Sequence, residues 1–178
     1  LSTGADNDSI RFDSANFTSA DTVAGGTGTD EISITDDATV VDADFTLVTG
    51  IETLTLAGTG AQSVTLSTLA QTAGVVTVDA SAGTASTINI AGMAGNVAVS
   101  TGAGADTVTA GTGDNNLSTG ADNDSIRFLS ANFTSADTVA GGTGTDEIRI
   151  TDNATVVDAD FTLVTGIETL TLAGTGAQ

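Results

Sequence analysis

The 178-residue sequence has no cysteine, histidine, lysine, proline, tryptophan or tyrosine. Without cysteine the chain forms neither disulfides nor thiolate metal sites, and without histidine it lacks the commonest zinc ligand and the commonest general base. The nucleophile motif GxSxG and the zinc-protease motif HExxH are also absent. These absences predict that the chain is not an enzyme.

Positive charge is nearly missing as well. Three arginines face 23 acidic residues, for a net charge of −20. Such a charge repels nucleic acid and anionic membranes. No stretch of about 20 apolar residues is present, so we predict no transmembrane segment and no nucleic-acid partner. The positive mean hydropathy argues for a folded chain whose carboxylates bind cations, and we expect disorder when the cation is removed.

A long repeat and a short one organise the rest of the sequence. Residues 1–62 return as residues 117–178 with three differences. These differences are Asp13 against Leu129, Ser33 against Arg149, and Asp37 against Asn153. Within the repeat runs a nine-residue period whose sixth position is acidic or an amide and whose eighth is aliphatic. The sixth positions are Asp8, Asp21, Asp30, Asp106, Asn115, Asp124, Asp137 and Asp146.

We therefore expect residues 1–116 to be one complete tandem unit of a longer array. It would contain nonapeptides over 3–33, a motif-poor stretch over 34–100 and further nonapeptides over 101–116. Residues 117–178 would be a partial second copy, continuous with the first in one solenoid. Four extra residues separate the nonapeptides that end at residue 127 and begin at residue 132.

The local pattern predicts strands. Runs such as ETLTLAG, STINIAG and NVAVSTGAG alternate over a few residues and end in small turn formers. Thr, Val and Gly are poor helix formers, so helix is disfavoured. With two short strands per turn of about 18–22 residues, the pattern predicts an all-β, right-handed parallel β-solenoid stacked into a rod. In such a coil Asp106 stacks over Asp124 and Asp146, and Asn115 over Asp137.

GGTGTDEIS at 25–33 and GGTGTDEIR at 141–149 fit the pattern G-G-x-G-x-D-x-U-x at every fixed position. The chain thus resembles the RTX (hemolysin-type) calcium-binding nonapeptide repeat proteins. The resemblance implies a β-roll and Ca²⁺ ligation by all eight sixth-position side chains, more weakly by Asn115. It also implies backbone carbonyl ligands from glycines of the loops, namely Gly25, Gly28, Gly102, Gly104, Gly111, Gly113, Gly141 and Gly144. VTGIETLTLAG at 48–58 resembles segments that accompany these repeats in bacterial S-layer and giant surface repeat proteins.

The residue types suit calcium independently of the family. Calcium takes six to eight oxygens, many of them backbone carbonyls, and glycine lets several carbonyls turn towards one point. A metal-free solenoid whose turns are capped by Asp is the alternative. Two loops depart from the pattern: TGADNDSIR places Asp6 and Asp122 where glycine is expected, and the Asp21 and Asp137 loops lack glycine.

These features predict a structural segment of a secreted or surface-displayed tandem-repeat protein: an S-layer, a sheath or filament, or a giant adhesin extender. It would fold and assemble on binding extracellular calcium, at a bacterial cell surface, and would associate with neighbouring repeats. The resemblance implies type I secretion. The alternatives are an adhesin module with a glycan- or ice-binding face and, less favoured by the sequence, the calcium-binding tail of a secreted enzyme.

Overall fold

The computed structural model describes residues 1–153 and 155–176; Ala154, Ala177 and Gln178 of the predicted second copy lie outside the described residues. Short strands make up nearly all of the regular structure. They are β1 (Ser2–Ala5), β2 (Ser9–Phe12), β3 (Val23–Thr27), β4 (Glu31–Ile34), β5 (Thr39–Val41), β6 (Val48–Thr49), β7 (Thr53–Leu56), β8 (Ser63–Thr65), β9 (Thr77–Thr84), β10 (Thr87–Asn89), β11 (Ala98–Ala103), β12 (Thr107–Thr109), β13 (Asn116–Ser118), β14 (Ser125–Phe128), β15 (Thr138–Ala140), β16 (Glu147–Ile150), β17 (Val164–Thr165) and β18 (Thr169–Leu172). One α-helix, α1 (Thr68–Ala73), and four 3₁₀ helices at Ser14–Asn16, Asp42–Phe45, Ser130–Asn132 and Asp158–Phe161 complete the described elements.

The strands stack into three parallel sheets. Sheet A has the order β1-β3-β6, sheet B β2-β4-β7-β9-β11-β13-β15-β17, and sheet C β5-β8-β10-β12-β14-β16-β18. Each pairing joins strands one turn of the chain apart and runs parallel. The predicted all-β fold of stacked parallel turns is therefore confirmed.

The turns vary in length. Val108 pairs with Ile126 across 18 residues and Ile126 with Ile148 across 22, whereas Val23 pairs with Val48 across 25. The longest turns exceed the predicted 22 residues because the chain inserts 3₁₀ helices and α1 between strands.

Aliphatic ladders fill the interior. In sheet B the ladder includes Ile32, Leu54 and Val78, and each of these side chains is fully buried. Burying a side chain of this size stabilises the fold by roughly 1.5–3 kcal/mol. Phenylalanines pack together in the wider turns: the ring centroids of Phe17 and Phe45 lie 5.3 Å apart.

The α-helix α1 was not predicted from the sequence. Its segment TLAQTA contains good helix formers, and it ends at Gly74, whose φ of 116° is left-handed. Asp42, on the preceding turn, accepts hydrogen bonds from the N–H groups of Ser67 (2.8 Å) and Ala70 (2.9 Å). A carboxylate from one turn thus caps a helix on the next, a contact that no local pattern encodes.

One outward position is also buried. The alternation predicts Ser33 on the solvent face of β4, yet its side chain is only 3% exposed. Ser33 pairs in register with Arg11 and Thr55 on the adjoining strands.

Equivalent strands of the two copies occupy different sheets. β2, β4 and β7 lie in sheet B, whereas their counterparts β14, β16 and β18 lie in sheet C. Five register steps in sheet B lead from Ser9 to Asn116, and Ser125 follows half a turn later in sheet C. The 116-residue unit therefore spans five and a half turns.

Candidate metal centre

The sixth-position side chains form columns because all of them except Asp21 directly precede a strand, and the strands stack in register. We define the first column as Asp8, Asp30 and Glu52, at the start of sheet B. The second column is Asp106, Asp124, Asp146 and Glu168, at the start of sheet C. The predicted stacking of Asp106, Asp124 and Asp146, and of Asn115 over Asp137, is confirmed.

Within a column each carboxylate is held by the turn before it. The backbone N–H of Asp8 donates to Oδ1 of Asp30 at 2.9 Å. The N–H of Asp106 likewise donates to Asp124 at 2.8 Å, and the N–H of Asp124 to Asp146 at 2.9 Å. One carboxylate oxygen of Asp30, Asp124 and Asp146 is thus fixed by the main chain of the turn before, and the other oxygen points elsewhere.

That second oxygen is buried and has no hydrogen-bond partner among the described residues. Five carboxylates share this state: Asp8, Asp30, Asp106, Asp124 and Asp146. Leaving a buried polar group unpaired costs about 1–3 kcal/mol, and more when it is charged. Five unpaired carboxylate oxygens in stacked turns fit a bound cation, which satisfies the oxygens and offsets the repulsion between them.

The loop glycines bring carbonyl oxygens to the same place. A Cβ added to Gly25 would lie 1.9 Å from the carbonyl oxygen of Gly50 and 2.7 Å from Oδ2 of Asp30. Gly141 repeats this contact with Gly166 and Asp146. Only a residue without a side chain leaves these cradles open.

The other predicted loop glycines lie equally close to neighbouring turns. A Cβ would lie 2.1–2.4 Å from a carbonyl oxygen at each of Gly28, Gly102, Gly111, Gly113 and Gly144. Gly104 has a left-handed φ of 92° and lies against the main chain of Ala85. Asp6 and Asp122 take the left-handed conformation at φ 77° and 76°, as the glycine pattern requires.

Asp21 and Asp137 differ from the five column aspartates. Oδ2 of Asp137 accepts hydrogen bonds from the N–H and hydroxyl of Thr134, and Oδ1 accepts the N–H of Asn115 at 2.9 Å. Asp21 makes the same turn with Thr18. Both oxygens of Asp137 are thus used in local capping, and metal binding by this pair stays a prediction.

The side chain of Asn115 donates hydrogen bonds to carbonyl groups of its own loop. Its Nδ2 donates to the carbonyls of Gly113 (2.7 Å) and Gly111 (3.5 Å). Gln62, which sequence reasoning missed, donates in the same way to Gly58 (3.0 Å) and Gly60 (3.4 Å). Its segment AGTGAQSVT carries the nonapeptide pattern with Gln in the sixth position. In the loops of Asn115 and Gln62 a side-chain amide thus takes the place that a carboxylate with an unpaired oxygen has in the aspartate loops.

Glu52 and Glu168 also belong to the columns. Alternation predicts these side chains on an outward strand face. The structure instead places them just before β7 and β18, where their Oε2 atoms accept the N–H groups of Asp30 and Asp146 at 2.8 Å. The signal that could have found them is an acid two positions before a column aliphatic, as in Glu52 and Leu54.

Burial makes two aspartates of the second column, Asp106 and Asp124, harder to ionise without a cation. Desolvation raises the pKa of Asp124 to about 6, and the charges of Asp106 and Asp146 add to the rise. Desolvation also raises the pKa of Asp106. A divalent ion would reverse this effect by favouring the ionised form.

No group of three or more acidic side chains converges on one point in residues 1–153 and 155–176. Backbone carbonyls, which are common calcium ligands, would have to complete the shell of an ion at these columns. None of the helices in the described part of the chain is long and apolar enough to cross a membrane.

The fold and the columns define a class of protein: a β-solenoid with cation-binding loops at the edges of its stacked turns. Residues 89–117 and 100–129 match the family model for four copies of the RTX calcium-binding nonapeptide repeat. The chain contains RTX calcium-binding nonapeptide repeats, and calcium is their cation. The RTX repeat is a structural calcium-binding repeat, typically not catalytic and typical of secreted bacterial proteins. No curated protein and no solved structure matches the chain.

Proposed function

We propose that the chain is a structural segment of a secreted or cell-surface tandem-repeat protein, and that it folds when its two columns bind extracellular calcium. The observation that supports this most is the set of five buried, unpaired carboxylate oxygens in a chain of net charge −20. Bound calcium supplies divalent positive charge between stacked carboxylates. Cytosolic calcium is far below the roughly 10⁻⁴–10⁻³ M at which extracellular modules bind it.

The aspartates and the glycines of the loops contribute to calcium-dependent folding in different ways. The column aspartates contribute one oxygen to the amide ladder and keep the other for the ion. The loop glycines hold carbonyls close to those oxygens. Before calcium binds, like charges along a column oppose stacking, so metal affinity becomes folding free energy.

An apolar edge supports association with further repeats. Leu54 and Leu56 are fully buried in the first copy, whereas their counterparts Leu170 and Leu172 are 42% and 38% exposed. The first pair is covered by the next turn of the chain, and the second pair ends the described sheet C. A parallel edge with exposed apolar side chains supports pairing with a second copy of the chain.

Circular dichroism tests the folding part of the proposal. In about 5 mM calcium, above the affinity range of extracellular modules, we expect a β-sheet spectrum. In chelator we expect the spectrum of a mostly unfolded chain. A β spectrum that does not change in chelator would contradict the proposal and favour the metal-free solenoid.

Electron microscopy in calcium tests the scaffold part. Filaments or lattices are expected from end-to-end stacking of copies. Dispersed single rods at high protein concentration would contradict self-association and favour an adhesin extender.

A further inference from the structure

We propose a calcium site at the last rung of each column, formed in the first copy by Asp30, the carbonyl of Gly50 and Glu52. The second copy repeats it with Asp146, the carbonyl of Gly166 and Glu168. Glu52 lies outside any nonapeptide motif, in a stretch for which the sequence predicted no metal ligand. The inference rests on the proposed calcium-dependent folding.

The first argument is that Glu52 continues the column's hydrogen-bond pattern. Within a column, the aspartates after the first accept the amide of the previous rung with one carboxylate oxygen, as Asp30 accepts the N–H of Asp8. Glu52 accepts the N–H of Asp30 in the same way, at 2.8 Å. Its carboxylate is thus placed as the next rung of the column.

The second argument is the loss of an internal donor at this rung. Five residues before the column aspartate, the earlier loops carry a threonine whose hydroxyl donates to a carbonyl of the next turn. Thr3 donates to Gly25 at 2.7 Å, and Thr119 donates to Gly141 at 3.0 Å. In the loops of Asp30 and Asp146 this position is Gly25 or Gly141, which have no hydroxyl to donate. No described residue donates a hydrogen bond to the carbonyls of Gly50 and Gly166.

The third argument is convergence. The carbonyl oxygen of Gly50 and Oδ2 of Asp30 lie 1.9 and 2.7 Å from one point, the place that a Gly25 Cβ would occupy. Both oxygens lack a hydrogen-bond donor, and Asp30 is fully buried. Two such oxygens are close enough to share a cation with oxygen contacts of about 2.3–2.6 Å.

The fourth argument explains why the residue is glutamate. Ile32 follows Val23 by nine positions, but Leu54 follows Val48 by only six, although the two pairs are in register. The last loop is therefore three residues shorter and supplies fewer carbonyls of its own. The longer glutamate side chain extends a carboxylate from this shortened loop while the strand register is kept.

Calcium stoichiometry by native mass spectrometry tests the site. The test variant is Glu52→Gln with Glu168→Gln, in which the amide oxygen still accepts the N–H of Asp30 or Asp146. The matched control is Glu31→Gln with Glu147→Gln, which removes the same charge one residue after the column aspartates. We expect the test variant to bind two ions fewer than the wild type, and the control to bind the wild-type number.

The outcomes separate the two proposals. A wild-type protein that binds no calcium contradicts the proposed function itself. A wild type that binds calcium, with a test variant that folds and binds the same number, overturns the last-rung site alone. If the double variant does not fold in calcium, the single variant Glu168→Gln decides, because Glu168 is on the exposed end rung; it should lose one ion, and retention of all ions overturns the site.

Discussion

The two copies of the long repeat are nearly the same sequence in two different settings. Residues 1–62 and 117–178 differ at three positions and build the same loops. Gly50 and Gly166 both have a φ of 62°. A Cβ added to Gly25 or to Gly141 would lie at the same distance, 1.9 Å, from the nearest carbonyl oxygen. The loop geometry therefore depends on the sequence of the loop and not on its position in the solenoid.

The surroundings of the loops, in contrast, differ between the two copies. The first column precedes sheet B and the second precedes sheet C, so the acidic columns of consecutive units lie at opposite edges of the solenoid. The cause is the unit length of five and a half turns. An array built from this unit would carry calcium alternately on one edge and on the other.

The largest expected difference between the copies concerns a core leucine. Leu54 lies between Ile32 and Val78, whereas Leu170 has only Ile148 beside it in the described sheet. Leu54→Ala should lower the free energy of unfolding by about 2–5 kcal/mol. Leu170→Ala should lower it by about 1 kcal/mol or less. Denaturant titration in saturating calcium measures both values.

Equal losses for the two leucine variants would show that the edge at Leu170 is covered in solution. A dependence of the Leu170→Ala loss on protein concentration would then assign the cover to a second copy.

A second prediction compares an amide loop with an aspartate loop. Asn115→Asp removes the donor that satisfies the carbonyls of Gly113 and Gly111, and it adds a buried charge. We expect the folded state to lose about 1–3 kcal/mol of stability where calcium is too dilute to fill this loop, and the saturated protein to bind one more calcium ion. Denaturation at a low, constant calcium concentration and calcium titration by calorimetry measure the two effects.

The control for Asn115→Asp is Asn96→Asp, at an exposed asparagine whose Oδ1 accepts the N–H of Asp114. The aspartate keeps that acceptor, so neither stability nor calcium number should change. An unchanged calcium number for Asn115→Asp would mean that the loop at 110–115 is closed to metal for another reason.

A third prediction follows from the raised pKa of Asp124. Between the unfolded value of 3.8 and the folded value of about 6, the folded state binds a proton that the unfolded state releases. In chelator, the folded fraction, small at pH 7, should therefore rise as the pH falls from about 7 to about 5 and should level off near the unfolded pKa. Calcium requires the ionised carboxylate, so calcium affinity should fall over the same interval.

Circular dichroism in chelator and calcium titrations at each pH check these opposite trends. Asp124→Asn is the control, since an asparagine does not titrate there and the acid-induced gain in folded fraction should shrink. A folded fraction in chelator that falls steadily below pH 7 would contradict the assignment.

The smallest expected effect comes from the copy differences themselves. In the first copy Asp13 accepts the hydroxyl of Thr35 at 2.9 Å, and the corresponding Leu129 is 50% exposed. Asp13→Leu should change stability by about 0.5 kcal/mol or less. Asp37 and its counterpart Asn153 both accept a glycine N–H at 2.7 Å, so Asp37→Asn should be neutral in denaturant titration. A loss above 1 kcal/mol for either variant would mean that the copies are not interchangeable locally.

Much of the fold and of the candidate site could be predicted from the sequence. Alternation predicts the strands, glycine with aspartate predicts the loops, and the nine-residue period predicts the stacking of Asp106, Asp124 and Asp146. All of these depend on backbone conformations within a few residues, which the local sequence controls.

Other contacts across turns were decided by the tertiary structure alone. The helix α1 takes its cap from Asp42 one turn earlier, and Glu52 enters the column although its own segment carries no nonapeptide. The opposite placement of the columns depends on the summed lengths of every turn between residues 9 and 125. A nine-residue motif determines its own loop, but the partner of that loop is set by register, and each inserted or missing residue along the coil shifts the register.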